Sequence, residues 1–176
     1  MTYNCTVQLS LLIQLLFLLL QVPVEKVKVG DKFPACSFVN GASGMIHTDS
    51  LVGDVLVIDF WASWNEPSRK YNLQLIKLYE KYRQQNFRKK HQIQFISVSL
   101  DTRNDLWLVA RAKDNLHWPI NSCDFKGWDS EFTAQLGLEL IPANYIVDPK
   151  GVIVAKNQWG AQLDSTLKTL SKEMPN

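Results

Sequence analysis

Val57-Ile58-Asp59-Phe60-Trp61-Ala62-Ser63-Trp64-Asn65-Glu66-Pro67-Ser68-Arg69-Lys70 is the stretch that decides how this chain of 176 residues folds. Its first part belongs to the run 55–60, made of Val, Leu, Ile and Phe around Asp59 and entered from Gly53-Asp54. A run that short and that apolar reads as a strand buried on both faces. Its last part opens a helix expected over residues 67–86. Leu73, Leu75, Ile76, Leu78, Tyr79 and Tyr82 give that helix a broad apolar face at helical spacing. Asn65 is a good helix N-cap, and Pro67 fits the first turn, where a missing N–H costs no hydrogen bond.

Outward from this core the pattern continues. Residues 29–34 form an irregular lead-in; 37–40 and 45–47 read as short strands, with Gly41-Ala42-Ser43-Gly44 as a hairpin connection. Downstream, 93–100 is a second buried strand, 104–113 a helix with Leu106, Trp107 and Ala110 on one side, and 130–136 a shorter helix. Two strands, 143–147 and 152–156, flank Asp148-Pro149-Lys150-Gly151, with Pro and Gly placed as a tight turn requires. A helix over 163–170 closes the chain. The order, a hairpin and then β-α-β-α-α-β-β-α, implies one α/β domain over 29–172, with a mixed central sheet and helices on both faces.

Composition excludes several classes. Hydrophobic residues make up 46% of the chain and charged residues 20%, an ordinary globular balance without a disorder signature. Nineteen basic and 17 acidic residues leave a net charge of +2, which gives no ground for a nucleic-acid or anionic-membrane partner. Arg88-Lys89-Lys90 reads as a solvated helix end. His47, His91 and His117 are widely separated, so no metal site is expected. No phosphate-binding loop or Ser-His-Asp arrangement is legible, and no cofactor is implied.

Residues 1–24 stand apart. From Leu9 to Leu20 the chain is almost entirely Leu, Ile and Phe. That is short of the ~20 apolar residues of a comfortable membrane span and matches the apolar centre of a secretory signal. No Lys or Arg precedes it, and no small-x-small cleavage site follows. A signal peptide or membrane anchor is expected, with the protein exported to the periplasm or cell envelope and touching a membrane only through this segment. Cys5 precedes the run. Cys36 and Cys123 would be the thiols of a mature protein and are candidates for a disulfide; the alternative is two separate, half-buried small hydrophobes.

The stretch 57–70 resembles the active-site strand, loop and helix of thioredoxins, most closely the exported TlpA/ResA-like branch, related to the AhpC/TSA proteins. There the same stretch reads Trp-Cys-x-Pro-Cys. Leu140-Ile141-Pro142-Ala143-Asn144-Tyr145-Ile146-Val147-Asp148-Pro149-Lys150-Gly151 resembles that family's cis-proline loop with its following strand and turn. Ser97-Val98-Ser99-Leu100-Asp101, with Trp107 and Trp118-Pro119 downstream, is similar to that branch's inserted helical segment. The resemblance spans about residues 29–172 and implies the thioredoxin fold, with an N-terminal β-hairpin and an inserted α segment.

It also implies a site, and the chain departs from it. Asn65 stands where the family has its attacking cysteine and Ser68 where it has the resolving one. Dithiol chemistry needs a thiolate at the helix start and a second thiol one turn on. An amide and a hydroxyl without an adjacent base supply neither. The Pro-x-x-x-Thr/Ser-x-x-Cys pattern of peroxiredoxins, distant relatives of the same fold, does not occur. Asp59 matches the buried acid beneath the family's cysteines; desolvation would raise its pKa, and it is expected to remain as a hydrogen-bonded structural remnant. Trp61 is expected in the core. Trp64, Glu66, Pro67, Ile141 and Pro142, with Pro142 in the cis form, are the candidates for holding a peptide or protein partner. Two functions follow: a redox-inactive module that binds a polypeptide at the Trp64/Pro142 surface, or a thiol-disulfide oxidoreductase in cell redox homeostasis whose chemistry has moved to Cys36 and Cys123.

Overall fold

The computed structural model describes residues 26–39, 44–86 and 92–173. The expected signal or anchor segment with Cys5, the hairpin connection at 41–43, the basic run 88–90 and His91 lie outside the described residues. Among the described residues seven strands form two sheets. β1 (Ser37–Val39) and β2 (Met45–His47) are the expected antiparallel hairpin. The central sheet contains β3 (Val55–Trp61), β4 (Ile93–Ser99), β5 (Ile120–Cys123), β6 (Ala143–Val147) and β7 (Ile153–Lys156), in the spatial order β5-β4-β3-β6-β7. β3, β4 and β5 run parallel; β6 and β7 are antiparallel to their neighbours, which makes the sheet mixed.

Four α-helices accompany the strands among the described residues: α1 (Glu66–Asn86), α2 (Asn104–Lys113), α3 (Glu131–Leu136) and α4 (Gly160–Glu173). Because side chains alternate across a strand, the sheet separates two cores. On one face Val55, Val57, Trp61 and Phe95 pack under Leu75, Leu78 and Tyr82 of α1, Trp107 and Ala110 of α2, and Leu163, Leu167 and Leu170 of α4. On the other, Leu56, Ile58, Phe60, Val98 and Tyr145 pack against Phe38 of the hairpin and Phe132 and Leu136 of α3. Tyr82 reaches through the first layer to donate its hydroxyl to Asp164 Oδ1 at 2.7 Å, joining α1 to α4.

β5 differs from the expectation. Ile120-Asn121-Ser122-Cys123 carries two polar residues in four and was not read as a strand, yet all four are buried. The closing turn follows the sequence: Gly151, at φ +78°, donates to the Asp148 carbonyl at 2.9 Å, while the Asp148 carboxylate accepts from the amides of Lys150 and Val152. Among the described residues no helix is long and apolar enough to cross a membrane.

Candidate functional site

The site is built where β3 hands over to α1. Trp61 ends the strand fully buried, and Ala62-Ser63-Trp64-Asn65 turns the chain into the helix. Asn65 acts as the N-cap: its Oδ1 accepts the Ser68 amide at 2.9 Å and the Ser68 hydroxyl at 2.8 Å. Its Nδ2 donates to the Ile141 carbonyl at 3.4 Å, in the loop where the Ile141–Pro142 peptide is cis. The two positions that the resemblance gives to thiols are therefore bonded to each other, and the first is tied to the proline loop. Ser68 is buried, while Glu66 and Pro67 are exposed; Glu66 pairs with Lys70 one turn on.

The turn is held from below by residues that sequence reasoning did not assign. Asp101, buried at the end of β4, accepts the Ser63 amide at 2.9 Å and the Ser63 hydroxyl at 2.5 Å, and takes a third bond from Ser99. Arg69 donates to the Ser63 carbonyl at 3.2 Å and makes a two-pronged pair with Asp114, which also accepts from Asn72. The signal was present, because Asp101 closes the quoted 97–101 landmark, but nothing in the sequence says that it points at Ser63.

Asp59 lies beneath this layer. The strand register sets Asn144 of β6, Asp59 of β3, Ser97 of β4 and Asn121 of β5 side by side, all buried on the α1 face of the sheet. Asn144 is satisfied by the backbone of Gln158. Asp59 Oδ1, Ser97 Oγ and Asn121 Oδ1 have no partner among the described residues. This corrects the expectation of a hydrogen-bonded Asp59. Burial pushes its carboxyl up to about 8, so the acid is neutral at pH 7.

The candidate disulfide is not formed, and the alternative of two separate thiols holds. Cys36 and Cys123 are free, and they belong to different cores with the sheet between them. Cys36 donates to Gln135 Oε1 at 3.2 Å and Cys123 to the Asp101 carbonyl at 3.3 Å. Both are buried more deeply than the half-buried alternative held. Burial pushes each thiol up to about 11, leaving little thiolate at neutral pH.

Above this buried layer two large apolar side chains stand exposed among charged ones. Trp64 is 56% exposed and Leu140, next to Ile141, 62% exposed. A shallow groove of about 390 Å³ passes Trp64, Arg69, Leu73 and Lys113. Among the described residues no group of His, Cys, Asp and Glu could hold a metal ion.

A mixed five-stranded sheet, a helix capped at the end of its central strand and a cis-proline loop bonded to that cap define a protein of the thioredoxin class. The chain belongs to the thioredoxin-like family, whose model matches residues 53–153. It is 34% identical to the C-terminal domain of a protein assigned as a thiol-disulfide oxidoreductase from Bacteroides thetaiotaomicron, over 85% of this chain and 99% of that one, with a TM-score of 0.74. A thiol-disulfide oxidoreductase from Bacteroides fragilis is 30% identical over 80% of this chain and 99% of its own, with a TM-score of 0.69. A protein assigned as the thiol:disulfide interchange protein DsbE from Chlorobium tepidum shares the fold at 22% identity, covering 85% of this chain and 99% of its own, with a TM-score of 0.64. No curated protein matches the chain.

Proposed function

We propose that this chain is an exported member of the TlpA/ResA-like branch whose degenerate site carries no dithiol chemistry and holds an extended segment of a peptide or protein partner. The observation that carries the reading is the Asn65 side chain, bonded at once to Ser68 and to the Ile141 carbonyl. An amide in the attacking position is not a nucleophile at neutral pH, and the hydroxyl in the resolving position is engaged by that amide. Those bonds keep the helix start and the proline loop together without a thiol. What remains outside is Trp64 and Leu140, an aromatic and an aliphatic anchor of the kind that partner surfaces use. Residues 29–172 are the folded unit of this proposal, and the apolar run 9–20 is its export signal or anchor. Redox chemistry moved to Cys36 and Cys123 finds no support in two buried thiols on opposite faces of a sheet.

Insulin reduction with dithiothreitol tests the first half. The natural protein is expected to be inert, and the Asn65→Cys, Ser68→Cys double variant, which restores both thiols at a helix N-terminus, is expected to catalyse. Catalysis by the natural protein overturns the reading. Titration with a permanently unfolded, carboxymethylated polypeptide tests the second half. Trp64→Ala and Leu140→Ala should each weaken binding several-fold, and unchanged affinity in both would sink the binding role.

A further inference from the structure

α2 leaves several apolar side chains on its solvent side, among the charged Asp105, Arg111 and Lys113. Trp107 and Ala110 face the core, yet Val109 is 67% exposed, Leu108 45% and Leu106 44%, and Ala112 is also exposed. Single exposed apolar residues are ordinary on a protein surface, but Leu106, Leu108 and Val109 together on the outer side of one ten-residue helix make a patch of the kind that marks an interaction site.

The pattern of the exposed side identifies the cover. With 3.6 residues per turn, Asp105, Leu106, Val109, Ala112 and Lys113 fall within an arc of about 120° centred on Val109. The arrangement is symmetric about that residue: Asp105 and Lys113 lie four positions before and after it, and Leu106 and Ala112 three. Asp105-Val109-Lys113 is thus one i, i+4, i+8 ridge, acidic at one end, apolar in the middle and basic at the other. When two helices pack by their i±4 ridges they cross at about 50°, with the ridges running side by side. In the antiparallel sense the acidic end of one ridge meets the basic end of the other, twice, by symmetry. Asp105 is paired only with Arg103 of its own chain, an exposed pair, and Lys113 makes no ion pair among the described residues. The mixed signs also make an anionic membrane surface a poor occupant of this face.

We propose that α2 is a self-association surface on which a second copy of this chain docks antiparallel, across a two-fold axis passing beside Val109, with Asp105 of each copy against Lys113 of the other. The small Val109 and Ala112 let the two helix backbones approach closely, and Leu106 covers the flank of the contact. This interface is separate from the Asn65–Ile141 junction, although Lys113 stands at the end of the groove that begins at Trp64.

The test is oxidative cross-linking of the full chain in detergent, in a Cys5→Ser background that leaves only the two buried thiols. Val109→Cys, whose side chains meet at the axis, is expected to give a band of twice the mass on a non-reducing gel. Asp105→Cys alone should not, because its two copies sit ~12 Å apart along the helices, beyond the ~7 Å that a disulfide spans. Mixing Asp105→Cys chains with Lys113→Cys chains should restore the band. Lys113→Glu in the Val109→Cys chain should reduce the product about tenfold, and adding Asp105→Lys should recover it. Absence of product from Val109→Cys overturns the proposal, as does equal product from Asp105→Cys. All of these positions are exposed, so the fold survives each change.

Discussion

Asp59→Asn changes one atom in the middle of the sheet, and its effect on stability should depend steeply on pH. In the unfolded chain the carboxyl loses its proton near pH 4; in the folded protein burial holds it until about pH 8. Between those values the native state binds one proton more than the unfolded state, so stability falls as pH rises, by ~1.4 kcal/mol per unit. Below pH 4 both states are protonated and the contribution vanishes; above pH 8 both are ionised and the cost is complete. At pH 7 the penalty is on the order of 4 kcal/mol, from about three units of that slope. Asparagine keeps the shape and carries no charge, so the variant should match the wild type near pH 4 and exceed it by a few kcal/mol at pH 7.5. Asp164, drawn down to about 2 first by its bond to Lys81, loses its contribution only as pH falls below 4, outside this window. Groups shared by the two proteins, such as the His117–Glu80 pair, cancel in the difference. Urea unfolding of both proteins at pH 4.5, 6.0 and 7.5 measures it. A difference that stays flat across those values would refute the claim that Asp59 is held neutral by burial.

Asn65→Ala removes the cap of α1 and the bond to Ile141; it should cost ~1–2 kcal/mol in urea unfolding, the usual worth of an N-cap, and Asn65→Asp, which keeps the capping oxygen and loses the donor to Ile141, should cost less. Cys36 and Cys123 should resist iodoacetamide at pH 7.5 in the native protein and be alkylated fully in urea, read by mass; rapid native labelling of either would contradict their burial and reopen relocated thiol chemistry.

Where the sequence spoke clearly, it did so through periodicity and turn chemistry. β3 and β4 are apolar runs with no alternative use, α1 has an apolar stripe longer than any loop could carry, and Asp148–Gly151 contains the residues its turn demands. β5 has no legible strand signature because Asn121 and Ser122 break its apolar pattern; Asn121 is buried beside Ser97, which in turn lies beside Asp59, while Ser122 takes the other face opposite Val98. Likewise Asn65 was legible as a cap, but its bond to Ile141 joins residues 76 positions apart and has no local signature.

The sequence by itself determined the fold class, the start of α1 and the replacement of both thiols, because each is carried by short patterns of residue types along the chain. Only the tertiary structure decided that Cys36 and Cys123 lie on opposite faces, that Asp101 pins the turn at Ser63, and that Asp59 stands in a row of polar groups with Oδ1 unpartnered. These are properties of strand register and of which face a side chain takes. Both are set by packing between segments distant in the chain, where a shift of one residue would turn every side chain of a strand to the other side.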